Sequence, residues 1–179
     1  MVRASKKSIG LLGGSFDPAH IGHLKISKIA IKKIKLNKIL WLVTKKNPFK
    51  KDPIYSLQER LIKAKKLTKN LKKINVIHLD EIVKSSRVID IINYLIKKRK
   101  LKIIYFIIGS DNLIKFHKWK SWKKIAKLTK LIVFSRKGYD KKSYNSKAAK
   151  HLKNKIIFIK NKPITISSSK LRKQFKIND

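Results

Sequence analysis

His20 and His23 stand three residues apart, directly after the stretch Gly13-Gly14-Ser15-Phe16-Asp17-Pro18-Ala19. A glycine pair lets backbone come close to phosphate oxygens. Histidines at i and i+3 share one face of a helix start. A helix N-terminus already favours anions through its free N–H groups and its dipole. Glycine turn and histidine pair together describe a phosphate site. The amides of Ser15 and Phe16 are its candidate donors, and Gly22 allows close approach where the helix begins. Asp17 and Pro18 are assigned to shaping the turn. A lone histidine is usually a surface or satisfied core residue, and His78, His117 and His151 are read that way.

A second set of anion-binding groups lies near the other end of the chain. Ser167, Ser168 and Ser169 open a helical pattern, with Arg172 one turn further on. Serine amides and hydroxyls at a helix start can hold phosphate oxygens, although simple capping would also explain them.

These groups need a scaffold, and the apolar periodicity supplies one. Strand-like runs fall at Ser8–Leu12, Lys38–Val43, Ile74–Leu79, Leu101–Ile108, Leu131–Phe134 and Ile156–Ile159. Helical patterns lie at Ile21–Ile34, Ser56–Thr68, Val88–Lys98 and Ser167–Phe175. The second helix opens with a capping box, Ser56 to Glu59. Alternating strands and helices predict an α/β fold, a doubly wound and mostly parallel sheet with helices on both faces. Ligands of such sheets bind beyond the strand C-terminal ends, where strand order reverses. The Gly13 and Gly109 turns both follow strands. The loop Lys45–Tyr55 reads as a mobile active-site loop or a plain surface loop. The polar stretch Gly138–Lys150 reads as partly disordered.

Three segments carry a family resemblance. GGSFDPAHIGHL, residues 13–24, resembles the signature of the nucleotidyltransferase superfamily marked by His-x-Gly-His. ISSSKLR, residues 166–172, resembles its Ile-Ser-Ser-Thr-x-x-Arg motif, with Ser169 where threonine is usual. GSDNLIKFHKWKSW, residues 109–122, resembles the central motif of one branch, the bacterial nicotinate-nucleotide adenylyltransferases. The motifs lie in the family's order and cover the chain from about Ile9 to Phe175.

The resemblance implies a Rossmann-like fold and a reaction. The 5′-phosphate of nicotinate mononucleotide attacks the α-phosphorus of ATP, giving nicotinate adenine dinucleotide and pyrophosphate, a step of NAD biosynthesis. His20, His23 and Arg172 would be catalytic, stabilising phosphate charge. Gly13, Gly14, Ser15, Phe16, Gly22, Ser167, Ser168 and Ser169 would bind ATP. Lys50, Arg87, Asp90, Gly109, Asp111 and Trp119 would bind the acceptor, with Trp119 stacked on the pyridine ring and Trp122 a neighbour or a core residue. Mg²⁺ would arrive on the ATP phosphates, since the sequence shows no cluster of carboxylates or histidines for a resident metal. The chain departs from the family around residues 86–92, where Arg87 replaces an aromatic residue and Val88 a threonine. Arg87 could therefore favour the acid over the amide by pairing with the nicotinate carboxylate, or stand as a solvated arginine.

Composition sets the alternatives. The 179 residues suffice for a single nucleotidyltransferase domain over 1–179, with residues 1–7 as a basic tail. There is no cysteine and no apolar run long enough to span a bilayer, and a cytoplasmic enzyme without a membrane partner is expected. The formal net charge is +39, from 48 Lys and Arg against nine Asp and Glu. Such a balance fits a nucleic-acid binder. Lysines spread through nearly every segment fit compositional drift instead, with no obligatory nucleic acid. Nicotinamide mononucleotide remains an alternative acceptor. So does phosphopantetheine, although enzymes for it often carry Thr at the position of His20 and lack the GSDNL…W segment. Nothing in the sequence specifies an oligomeric state.

Overall fold

The structure, a computed structural model, describes residues 8–46, 52–101, 103–161 and 166–175. The expected basic tail and the candidate acceptor ligand Lys50 lie outside the described residues, as does the middle of the loop after Lys46.

Six strands form one parallel sheet. They are β1 (Ser8–Gly14), β2 (Lys38–Val43), β3 (Ile74–Ile77), β4 (Ile103–Gly109), β5 (Lys130–Phe134) and β6 (Ile156–Ile159), in the order β3-β2-β1-β4-β5-β6. The chain builds outward from β1 to β3, then crosses back to place β4 on the other side of β1. Strand order thus reverses between β1 and β4, where Leu12 pairs with Ile107. A crevice for ligands opens beyond the strand ends at such a point. Both glycine turns singled out in the sequence flank it.

The helices are α1 (Ile21–Ile34), α2 (Leu57–Thr68), α3 (Asp80–Val83), α4 (Val88–Lys97), α5 (Ser110–Phe116), α6 (Trp122–Leu128), α7 (Asp140–Tyr144), α8 (Lys147–Leu152) and α9 (Ser168–Phe175). Successive strand residues feed opposite cores, as period-two geometry requires. Leu11, Leu42 and Phe106 pack with Ile91, Ile92 and Leu95 of α4 and Phe116 of α5. Leu12, Trp41 and Ile107 pack with Leu24 and Ala30 of α1 and Ala64 of α2. Each fully buried Leu or Ile contributes about 1.5–3 kcal/mol relative to exposure. The buried face of α1 runs through Gly22, Leu24, Ser27 and Ala30, while Ile21 is exposed. Ser27 is buried because its hydroxyl accepts from the Trp41 indole at 2.9 Å.

The expectation for Gly138–Lys150 is corrected. This stretch holds α7 and the start of α8 rather than disorder. Its polar residues satisfy backbone groups. The Asp140 carboxylate accepts from the Ser135 hydroxyl and, at 3.0 Å, from the Arg136 amide. Ser146 caps α8 by accepting from the Ala149 amide at 3.2 Å. Ala148 and Leu152 then reach the core.

Candidate active site

The histidine pair is fixed by reciprocal backbone bonds. His20 Nδ1 accepts from the Gly22 amide at 3.1 Å, and His23 Nδ1 accepts from the His20 amide at 3.1 Å. Both rings therefore cap the start of α1 through Nδ1, which leaves Nε2 as the proton-bearing nitrogen of each neutral imidazole. The rings lie 3.8 Å apart between centroids. Phe16 packs on His23 at 4.7 Å and stacks on Trp41 at 5.1 Å. Phe16 holds this place with a left-handed backbone, φ 48°. Such a conformation is uncommon for a bulky side chain, and here nearly complete burial of the ring offsets it.

The C-terminal serine helix comes to the same place. The Ser168 hydroxyl donates to the Pro18 carbonyl at 3.0 Å. Arg172 Nη1 donates to the Asp17 carbonyl at 2.8 Å and pairs with Asp17 Oδ2 at 3.1 Å, while Nη2 reaches the Ser169 hydroxyl at 3.2 Å. Gly13, Gly14, Ser15, Phe16, His20, Gly22, His23, Ser167, Ser168, Ser169 and Arg172 line one cavity at the switch point. A Cβ on Gly13 or Gly14 would meet the protein only at ordinary contact distance, no closer than 3.6 Å. Packing does not demand glycine at either position, and the room left above them faces the cavity. Asp17 is more than a turn former. Its buried carboxylate also accepts the amides of Ile54 and Tyr55, at 3.1 and 3.0 Å.

The acceptor-side residues divide. Gly109, Asp111 and Trp119 also line the first cavity. A second cavity shares Gly13, Gly14 and Trp119 with it, and adds Thr44, Lys46, Arg87, Lys118 and Lys120. Trp119 thus stands between the two, edge-on to Phe106 and Phe116. A Cβ on Gly109 would collide with Asp111 Oδ1. The other Asp111 oxygen pairs with Arg136 at 2.7 Å. Asp90 lines neither cavity and instead accepts from the Ser85 hydroxyl at 2.7 Å. Trp122 packs against Phe116 and His151.

Sequence reasoning missed Arg136, although a signal existed. It lies just beyond β5, at the same edge of the sheet as the last residues of β1 and β4, Gly14 and Gly109, and strand C-terminal ends carry the ligand groups of such folds. Lys46, Lys118 and Lys120 were lost among many other lysines. No group of three or more His, Asp or Glu side chains that could hold a metal lies among the described residues.

Likeness to known proteins follows this geometry. A family model described as cytidylyltransferase-like matches residues 11–174. A protein of Pelagibacter ubique, named a probable nicotinate-nucleotide adenylyltransferase, is 50% identical over 169 residues, covering 94% of this chain and 93% of its own. A Bradyrhizobium protein of the same name is 35% identical over 145 residues, covering 80% and 75%. Among solved structures, the Plasmodium falciparum nicotinic acid mononucleotide adenylyltransferase complexed with NaAD aligns with a TM-score of 0.75 at 19% identity. That alignment covers 93% of this chain and 83% of the other, and supports the fold.

Proposed function

We infer the chemistry from one premise: the chain belongs to the cytidylyltransferase-like family. It is an enzyme that transfers AMP from ATP to nicotinate mononucleotide, forming nicotinate adenine dinucleotide and pyrophosphate in NAD biosynthesis. In the reaction an acceptor phosphate oxygen forms a bond to the α-phosphorus. The bond from that phosphorus to its bridging oxygen breaks, and pyrophosphate leaves with the electron pair. The acceptor phosphate is already anionic, so no general base is required. Catalysis then rests on alignment and on stabilising charge at the phosphate oxygens.

Our reading of the residues follows. The first cavity takes ATP. His20 and His23 donate through Nε2 to its phosphates, with the amides of Ser15 and Phe16 beside them. Ser167, Ser168, Ser169 and Arg172 hold the leaving pyrophosphate. The observation that carries this reading is the tie between the two chain ends, Ser168 to Pro18 and Arg172 to Asp17. It brings the serine helix and the histidine pair to one cavity.

The second cavity takes the acceptor, with Trp119 against the pyridine ring. Arg87, Lys46, Lys118 and Lys120 surround it with positive charge. An acid acceptor brings a carboxylate that an amide lacks, so such a cavity favours the acid. Asp111, held beside Gly109 and Arg136, orders the wall between the cavities. Asp90 supports the loop before α4 through Ser85. Lys50 is kept as an acceptor-phosphate ligand on the family resemblance alone.

Enzymes of this kind use a divalent metal with ATP. We assign Mg²⁺, carried on the phosphate oxygens as part of the substrate. The first cavity fits that role, because the carboxylate that lines it, Asp111, is paired through one oxygen with Arg136. One domain spans the chain in this reading. No helix among the described residues is long and apolar enough to cross a membrane, and a chain without cysteine fits a cytoplasmic setting. The test is pyrophosphate release from ATP, run in parallel with nicotinate mononucleotide, nicotinamide mononucleotide and phosphopantetheine. A clear preference for the first is expected. Equal or better turnover of phosphopantetheine would overturn the assignment.

A further inference from the structure

Arg60 lies on α2 as a charged side chain of which only 2% is exposed. Its Nη1 donates to the Ser15 carbonyl at 2.7 Å and to the Thr44 carbonyl at 2.8 Å. Nη2 donates to the Lys45 carbonyl at 3.0 Å, and Nε to the Tyr55 carbonyl at 3.1 Å. Four of the five guanidinium N–H groups are therefore spent on four backbone carbonyls. No carboxylate lies within ion-pair distance of it among the described residues. Burial pushes its pKa down, and the charges of Asp17 and Asp80 oppose that.

The four carbonyls belong to segments that meet the cavities. Ser15 lines the first cavity. Thr44 and Lys46, on either side of Lys45, line the second. Tyr55 donates its amide to Asp17, the partner of Arg172. The Ser15 and Thr44 carbonyls share one nitrogen, so a single planar group joins the two segments just past the last ladder bond between β1 and β2, from the Thr44 amide to the Gly14 carbonyl at 3.1 Å. A compact ammonium cannot reproduce a fork that reaches carbonyls in several directions.

We propose that Arg60 is a positioning residue that locks the donor-side loop at Ser15 to the acceptor-side strand end at Thr44–Lys45, and thereby aligns the attacking phosphate with the α-phosphorus. The inference rests on the adenylyl-transfer reading. Its signature is loss of turnover with little loss of substrate affinity, because Arg60 touches the loops and neither cavity's contents.

The test compares kcat and the KM for ATP and for nicotinate mononucleotide in the parent enzyme, Arg60→Lys and Arg60→Ala. Thermal melting is followed alongside, and Arg60→Ala is assayed with and without non-denaturing guanidinium ion. A misplacement of about 1 Å costs roughly 100-fold in rate. Arg60→Lys is expected to lose about that factor in kcat, with each KM moving less than roughly threefold. Guanidinium is expected to restore part of the turnover of Arg60→Ala, and methylammonium none. An unchanged kcat in folded Arg60→Lys would overturn the proposal. So would a loss confined to KM, or failure of Arg60→Lys to fold, which would assign the residue to stability alone. A parent enzyme that turns over phosphopantetheine better than nicotinate mononucleotide would refute the reading of the acceptor, separately from any result on Arg60.

Discussion

Arg172 and Asp17 are 155 residues apart in sequence, and their side chains meet at 3.1 Å. Arg172 lines the first cavity, and Asp17 holds it from behind. The pair links the turn before the histidines to the helix that carries the serines. The same carboxylate holds the Ile54 and Tyr55 amides, so one buried group anchors three segments around the cavity.

Replacing Asp17 with Asn keeps the size and removes the charge that Arg172 faces. Partners of a charged buried group typically contribute about 1–3 kcal/mol each way, once the cost of leaving them unsatisfied is counted. Asp17→Asn is expected to lose about that much stability, read as a lower urea midpoint at constant slope. An unchanged midpoint would show that the tie between the chain ends contributes nothing.

Asn is as good an N-cap as any residue, so His20→Asn separates capping from catalysis. The start of α1 should survive, with stability within about 0.5 kcal/mol of the parent. Losing one preorganised donor to a phosphate costs roughly 100- to 1,000-fold in kcat. A kcat within about threefold of the parent in folded His20→Asn would contradict a phosphate donor at this position.

Arg87 lines the second cavity from the residue before α4. If its guanidinium meets the acceptor carboxylate, Arg87→Ala should lower the acid-to-amide ratio of kcat/KM by roughly 10- to 100-fold, the worth of a hydrogen bond to a charged group. The quantity to measure is that ratio in parent and variant. An unchanged ratio would leave Arg87 a solvated side chain.

Asp140 carries a pH prediction of its own. Burial pushes its pKa up, but the Ser135 hydroxyl and the Arg136 amide pull it down further, to a net value below the ordinary 3.8. A depressed carboxylate adds stability above its unfolded value and loses it as pH falls through the folded one. Asp140→Asn should flatten the acid limb of the stability curve below pH 3.8. Parallel acid limbs for parent and variant would contradict this.

Much of the fold is legible in the sequence, because parallel strands buried on both faces are written as short apolar runs. All six strands fall on those runs, with β3 ending at Ile77 rather than Leu79 and β1 running on to Gly14 rather than Leu12. Ser56 and Glu59 form the expected capping box, at 3.2 and 2.8 Å. The lining of the first cavity is legible because its groups sit at strand ends and helix starts. Less could be read where distant partners decide. α7 and α8 are short and polar; the Asp140 bonds to Ser135 and Arg136 settle the first, and the Ser146 cap and buried Ala148 the second. Asp90 turns to Ser85, a local hydrogen bond that no motif announces. Arg60 looks like a solvated helix residue until the carbonyls of Ser15 and Thr44 are placed around it.

The most direct test is a crystal structure of the protein with a non-hydrolysable ATP analogue. Nε2 of His20 or His23 should lie within hydrogen-bond distance of the same triphosphate that Ser168 or Arg172 contacts. A triphosphate held by one of these regions while the other stays out of reach would contradict the shared phosphate site.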